Sequence, residues 1–306
     1  MKNIRFTGVM PALLTPLHAD GSVNTAAVKP LTDFALDNGV DGFYVCGSSG
    51  EGPVLSASAR MEMTEAVMDA VKSRKTRAGR SPDVIVHVAA PNPLDAMMLA
   101  RHAEKLGADA VSSLSPNFVY EYNEEELLEY YRVLAGQSSL PLLIYAKPSL
   151  KAADIKGFIE KAMEIETVIG LKFTIRDYFH LRRIKEINGG DVNVINGPDE
   201  TLLCGLTMGA DGGIGTTYNL MPDWFAALYD CWKRGDLAAA QAWQYKINRV
   251  IDVVLRFGKN GAINASKAVL RLKGFDVGNA VFPNREYSVE EMNRLAAELR
   301  AVDYEI

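Results

Sequence analysis

The stretch "VIGLKFTIRD", Val168 to Asp177, reads as a short buried β-strand that stops at polar residues. Val168, Ile169, Leu171 and Phe173 ask for a dry interior, yet Lys172, a strongly hydrated cation, stands among them. Runs of the same kind recur along the chain: "GVMPALLTP" (8–16), "DGFYVCG" (41–47), "DVIVHVAA" (83–90), "AVSSLSP" (110–116), "PLLIYAKP" (141–148), "VNVINGP" (192–198) and "GGIGTTY" (212–218). With "VIGLKFT" they make eight. Between them lie segments of helical period: Thr25 to Asn38, Ala57 to Ala78, Pro93 to Leu106, Glu124 to Leu134, Ala153 to Ala162, Tyr178 to Ile187 and Glu200 to Met208. Every connection carries Gly, Pro, Asn or Asp, the residues of turns and breaks.

Eight strands alternating with helices, without a long linker or a break in composition, predict parallel strands closed as an α/β (β/α)8 TIM barrel. Residues 1–221 supply the strands and intervening helices. Residues 222–306 supply the last barrel helix and about two or three further helices, with breaks at "FGKNGAIN" and "KGFDVGNAVFPNREYS", all in one continuous domain. The 306 residues are 48% hydrophobic and 23% charged, as in an ordinary globular protein with a large core. A net charge of −5 with interspersed signs offers no basic stripe, so nucleic acid is not the expected partner. Cys46, Cys204 and Cys231 are widely spaced and odd in number, which fits a reducing compartment and small buried side chains. The start, "MKNIRFTGVMPALLTP", has neither a signal-peptide core nor a membrane span, and a cytoplasmic protein is expected.

In such a barrel the reacting groups stand at the carboxyl ends of the strands. Strand six ends on Lys172. Burial there penalises the ammonium form and lowers its pKa, and the resulting neutral amine can attack a ketone to form an imine that accepts electrons from the adjacent carbon. A lysine that snorkels to water or pairs with Asp177 or Glu200 would be the bland alternative. Tyr145 closes strand five and could move a proton to or from a hydroxyl, or simply pack the barrel mouth. "GSSGEG" (47–52) sets Ser48 and Ser49 on a glycine-rich turn suited to a carboxylate, though Ser56 or Ser58 could equally cap the next helix from it. Asp199 and Glu200 in "NGPDE" could accept hydrogen bonds from a polyol or cap a helix; no set of metal ligands accompanies them.

Together these residues resemble the N-acetylneuraminate lyase and dihydrodipicolinate synthase family of Schiff-base (β/α)8 enzymes, and more closely its N-acetylneuraminate lyase branch. The likeness spans nearly the whole chain and rests on "DGFYVCGSSGEG", "IYAKP", "GLKFT" and "NGPDETLLCGLTMGADGGIGTTYN". It implies an imine on Lys172, proton transfer by Tyr145, a carboxylate held by Ser48 and Ser49, and a polyol lined by Thr174, Gly197, Asp199, Glu200 and Thr216. It further implies reversible cleavage of N-acetylneuraminate, a 2-keto sugar acid, to pyruvate and N-acetylmannosamine without a cofactor, and a homotetramer in which Tyr120 or Tyr122 could reach a neighbour. The residues themselves point to no metal and to no membrane or nucleic-acid partner. The chain departs from the family at Ala146 and Lys147, where Asn usually follows the tyrosine. Ser49 and Thr216 exchange one hydroxyl residue for another. "YAKPSLKAAD" lacks the arginine of the synthase branch. The alternatives are a sister aldolase or dehydratase for another 2-keto sugar acid, dihydrodipicolinate synthase, and a non-catalytic sialic acid binding barrel.

Overall fold

The computed structural model describes residues 5–150, 152–258 and 261–306. Residues 1–4 of the amino-terminal reading, Lys151 of "YAKPSLKAAD", and Lys259 and Asn260 of the "FGKNGAIN" break lie outside the described residues. Each apolar run contains a strand: β1 (Gly8–Pro11), β2 (Gly42–Val45), β3 (Asp83–His87), β4 (Ala110–Ser113), β5 (Leu142–Ala146), β6 (Val168–Phe173), β7 (Asn193–Asn196) and β8 (Gly212–Gly215). All paired neighbours are parallel, in the order β1-β8-β7-β6-β5-β4-β3-β2. The ring closes between β1 and β2 where Ala12 bridges Tyr44 and the Leu13 N–H donates to the Tyr44 carbonyl at 2.9 Å. The eightfold barrel follows.

Helices α1 (Val28–Asp37), α2 (Ala57–Val71), α3 (Pro93–Leu106), α4 (Glu124–Ala135), α5 (Ile155–Ala162), α6 (Tyr178–Lys185), α7 (Leu202–Thr207) and α8 (Pro222–Lys233) each follow their strand. Beyond them come α9 (Leu237–Phe257), α10 (Ala262–Leu272) and α11 (Val289–Ala301). Local chemistry sets several starts: Ser56 accepts from the Ala59 N–H to begin α2, and Asn123 with Glu126 forms a capping box on α4. The second helical segment ends at Val71, short of Ala78, because the basic stretch after it has no apolar face to bury and folds into a turn where the Thr76 N–H donates to the Arg80 carbonyl. Leu202 starts α7 later than expected, after a 3₁₀ turn over Asp199–Thr201. Cys46 and Cys231 are buried, but Cys204 is exposed on the outer face of α7, contrary to the reading of all three as core.

Strand alternation sorts the core into two layers. On β5, Leu142, Ile144 and Ala146 face the helices, whereas Leu143 and Tyr145 face the barrel interior with Tyr44, Ile85, Ile169 and Ile195. A register irregularity between β5 and β6 leaves Ile169 without a partner, and beyond it Tyr145 pairs with Lys172. Both side chains therefore leave the sheet on its inner face. A single slip would send them to opposite layers.

Candidate active site

Lys172 is only 3% exposed. Its Nζ lies 4.4 Å from the ring centroids of both Tyr145 and Tyr44. Burial pushes the amine below the ordinary lysine range; Tyr145 and Asp199 oppose the shift and Lys147 adds to it. Neither bland partner reaches it. Asp177 is 2.7 Å from His180 and caps α6, while Glu200 is bound by the Arg176 guanidinium.

For Tyr145 the largest single influence is burial, which raises a phenol's pKa, but Lys172, Lys147 and the hydroxyls of Ser48 and Thr174 together outweigh it and bring the phenol below its usual value. An amine that loses its proton early therefore faces a phenol that does the same. That pairing suits proton transfer during imine chemistry.

Beneath them stand two neutral side chains, Tyr44 and His87, with the buried Arg60 guanidinium behind, donating to the His87 carbonyl at 2.6 Å. The Tyr44 hydroxyl donates to Ser112 Oγ at 3.0 Å, and burial holds its pKa well above the usual phenol value. His87 is buried with Nδ1 3.1 Å from the Cys46 carbonyl and Nε2 accepting the Leu114 N–H at 3.3 Å, which fixes one neutral tautomer. Burial keeps its pKa well below the usual imidazole value.

Ser48 and Ser49 sit on a loop held at both ends by left-handed residues other than glycine, Cys46 at φ 57° and Glu51 at φ 59°. Ser49 Oγ is 2.6 Å from Thr216 Oγ1, which ties the loop after β2 to the loop after β8. The carboxylate of Glu51 fixes the loop from behind. It lies 2.7 Å from Lys267 Nζ of α10 and accepts the Val281 N–H at 2.6 Å, and both ionic side chains are buried.

Across the mouth, a cavity of about 490 Å³ is lined by Thr174, Gly197, Asp199, Glu200 and Thr216, five of the residues expected there. Asp199 accepts from the Thr217 N–H and hydroxyl, each at 2.6 Å, and burial raises its pKa despite them. It caps no helix. Glycine is required twice: a Cβ on Gly197 would stand 1.9 Å from Thr174 Oγ1, and one on Gly215 would stand 2.1 Å from Asp199 Oδ1. A second cavity of about 460 Å³ opens beside Ser48, Ser115, Asn117 and Lys147.

The two departures after Tyr145 thus separate. Ala146 packs outward under the helices, whereas Lys147 reaches the mouth, with its Nζ 5.8 Å from the Tyr145 ring centroid. Sequence reasoning missed Tyr44, His87, Glu51 and Lys267. Alternation along "GFYV" could have placed Tyr44 inward; nothing local distinguishes Lys267 from a surface lysine of an amphipathic helix.

The profile of the dihydrodipicolinate synthetase family matches residues 5–302. An N-acetylneuraminate lyase from Rhizobium meliloti is 38% identical over 299 residues, 98% of this chain and 95% of that protein. Among solved structures, Proteus mirabilis N-acetylneuraminate lyase superposes with a TM-score of 0.90 at 29% identity, covering 99% of this chain and 100% of that one. A Clostridium difficile protein solved in complex with mannosamine gives a TM-score of 0.89 at 28% identity, covering 98% and 100%.

Proposed function

The chain belongs to the dihydrodipicolinate synthetase family, and from that premise we propose that it is a class I aldolase that reversibly cleaves N-acetylneuraminate to pyruvate and N-acetylmannosamine through an imine on Lys172. The observation that carries this reading is the cross-strand pairing of Lys172 with Tyr145 inside a dry layer. The neutral amine adds to the C2 ketone of the open-chain sugar acid, and water leaves. Ser48 and Ser49 hold the carboxylate, while Thr174, Gly197, Asp199, Glu200 and Thr216 line the polyol. Tyr145 takes the C4 hydroxyl proton with help from the substrate carboxylate, and the C3–C4 electrons pass into the iminium as an enamine. Protonation at C3 and hydrolysis return pyruvate and the amine. The iminium is the electron sink, so the scheme uses no cofactor.

The similarity to a relative named N-acetylneuraminate lyase supports this substrate. Lys147 favours a second reading, a sister aldolase or dehydratase for a 2-keto sugar acid with another anionic group, since it lines the second cavity with no ion pair among the described residues. We further read the chain as a cytoplasmic homotetramer. Val119 and Tyr120 are exposed and Tyr122 is partly so beyond β4, where a neighbour could cover them; light scattering would give four chains, and fractionation would place the protein.

Borohydride added with pyruvate should fix a stable adduct on Lys172, and pyruvate release should be fastest from N-acetylneuraminate among 2-keto sugar acids. No adduct would remove the Schiff-base scheme. Tight binding of sialic acid without pyruvate release would instead mark a non-catalytic barrel.

A further inference from the structure

Tyr44 has no part in the scheme above, yet its ring stands as near the reacting nitrogen as that of Tyr145, with Lys172 Nζ 4.4 Å from either centroid. The two rings meet edge to face, their centroids 6.0 Å apart and their planes at 83°, and the nitrogen lies against both. The Tyr44 side chain is fully buried and its hydroxyl is committed to Ser112. It offers the nitrogen a π face and no proton.

We propose that Tyr44 is a catalytic residue whose ring face carries the positive charge of the Lys172 iminium and so favours loading of the site with a keto acid. This rests on the Schiff-base reading of Lys172. In the loading step the lone pair of the neutral amine bonds to the ketone carbon, and the carbonyl oxygen leaves as water with one hydrogen from the amine and one proton from solvent. A neutral amine and a neutral carbonyl thereby become a cation in a site that water does not solvate. Such a charge needs a compensating field, and an aromatic face supplies one most effectively where water is excluded.

The other groups facing the nitrogen are poorly suited to give a constant field. Tyr145, from β5, exchanges a proton during turnover. Asp199, beyond β7, has one oxygen taken by the Thr217 N–H and hydroxyl. Lys147, after β5, is itself a cation, and His87, from β3, is held neutral with both ring nitrogens hydrogen-bonded. Tyr44 and His87 both stay neutral through the cycle, and of the two it is Tyr44 that presents its ring face to the nitrogen, with the centroid 4.4 Å away.

The ring also attracts the resting ammonium, which gives the effect a signature in pH. Below the pKa of the amine, nitrogen is charged before and after loading, and the ring's contribution cancels. Above it, only the iminium gains. A residue that merely shaped the pocket would act equally at both pH values.

The test replaces Tyr44 by phenylalanine and by 4-fluoro-, 3,5-difluoro- and 3,4,5-trifluorophenylalanine, a series of nearly constant shape with a progressively weaker π face. All four lack the hydroxyl, so the partner lost to Ser112 is common to them. The readout is the pyruvate concentration giving half-maximal borohydride-trapped adduct, measured below and above the amine pKa located from the wild-type profile. Above that pKa the half-saturating concentration should climb with each fluorination, to about tenfold for the trifluoro variant; below it the series should be flat. A series flat at both pH values, or equally steep at both, overturns the proposal, and melting curves identify any member that fails to fold and is set aside in favour of the others. Absence of an adduct in the unmodified protein would sink the Schiff-base reading itself, whereas trapping with a flat series sinks only the role of Tyr44.

Discussion

Two lysines are buried among the described residues of this barrel, and their surroundings are opposite. Lys267 is completely enclosed, but its Nζ lies 2.7 Å from the Glu51 carboxylate and donates to the Asn279 carbonyl at 2.9 Å. Lys172 has two aromatic faces and no carboxylate within ion-pair distance among the described residues. Burial lowers the pKa of both, with Glu51 pulling that of Lys267 back up. A buried ammonium with its counterion and hydrogen bonds satisfied is a structural fastener. One without a counterion yields its proton more readily and, on the proposed scheme, becomes available to carbonyl chemistry.

The same substitution at both positions should break the comparison most severely. Lys172→Met should lower pyruvate release by more than about 10³-fold and abolish the borohydride adduct. Its stability in urea should be unchanged or raised by about 1 kcal/mol, because an apolar chain replaces an amine that is costly to bury. Lys267→Met should lower stability by about 3–5 kcal/mol, since the Glu51 carboxylate is left buried without its cation. Adding Glu51→Gln should restore part of that loss by removing the orphaned charge while an amide oxygen still accepts the Val281 N–H. Equal losses of stability from the two Met variants would contradict the distinction.

A smaller effect sharpens it by pH. Trapping of pyruvate requires the neutral amine, so its rate should rise as pH passes upward through the lowered pKa of Lys172, with a half-point below the ordinary lysine value of 10.5. A half-point at or above that value would show a solvated amine. The least change is expected at the rim, where Arg176 holds Glu200 but is largely exposed. Arg176→Ala should alter stability by less than about 1 kcal/mol in denaturant titrations. A larger loss would mean that the exposed pair behaves like the buried one.

The barrel was legible because eight apolar runs at barrel spacing leave few topologies, and Lys172 was legible because it interrupts one of those runs. Tyr145 could be placed at a strand end, yet its approach to Lys172 depends on the β5–β6 register and its irregularity, which no window of sequence reveals. Lys267 was illegible for a different reason. In "AINASKAVLRL" it looks like any lysine of an amphipathic helix, and its burial is imposed by Glu51, more than 200 residues earlier in the chain, and by the 277–284 segment. Ala146 and Lys147 looked like one departure from the family and proved to be two, because Ala146, the last residue of β5, faces the helices while Lys147, just beyond the strand, reaches the barrel mouth. Helix ends were the least legible, as at Val71, where tertiary cover stops before helical propensity does.

On the Schiff-base reading, the cross-strand partnership of Tyr145 and Lys172 also protects the chain during its own synthesis. Before the ring closes, Lys172 is one more hydrated ammonium, with no greater appetite for stray aldehydes and ketones than the lysines around it. Its reactivity appears only with the finished architecture, so recovery of pyruvate trapping after dilution from denaturant should keep time with barrel closure.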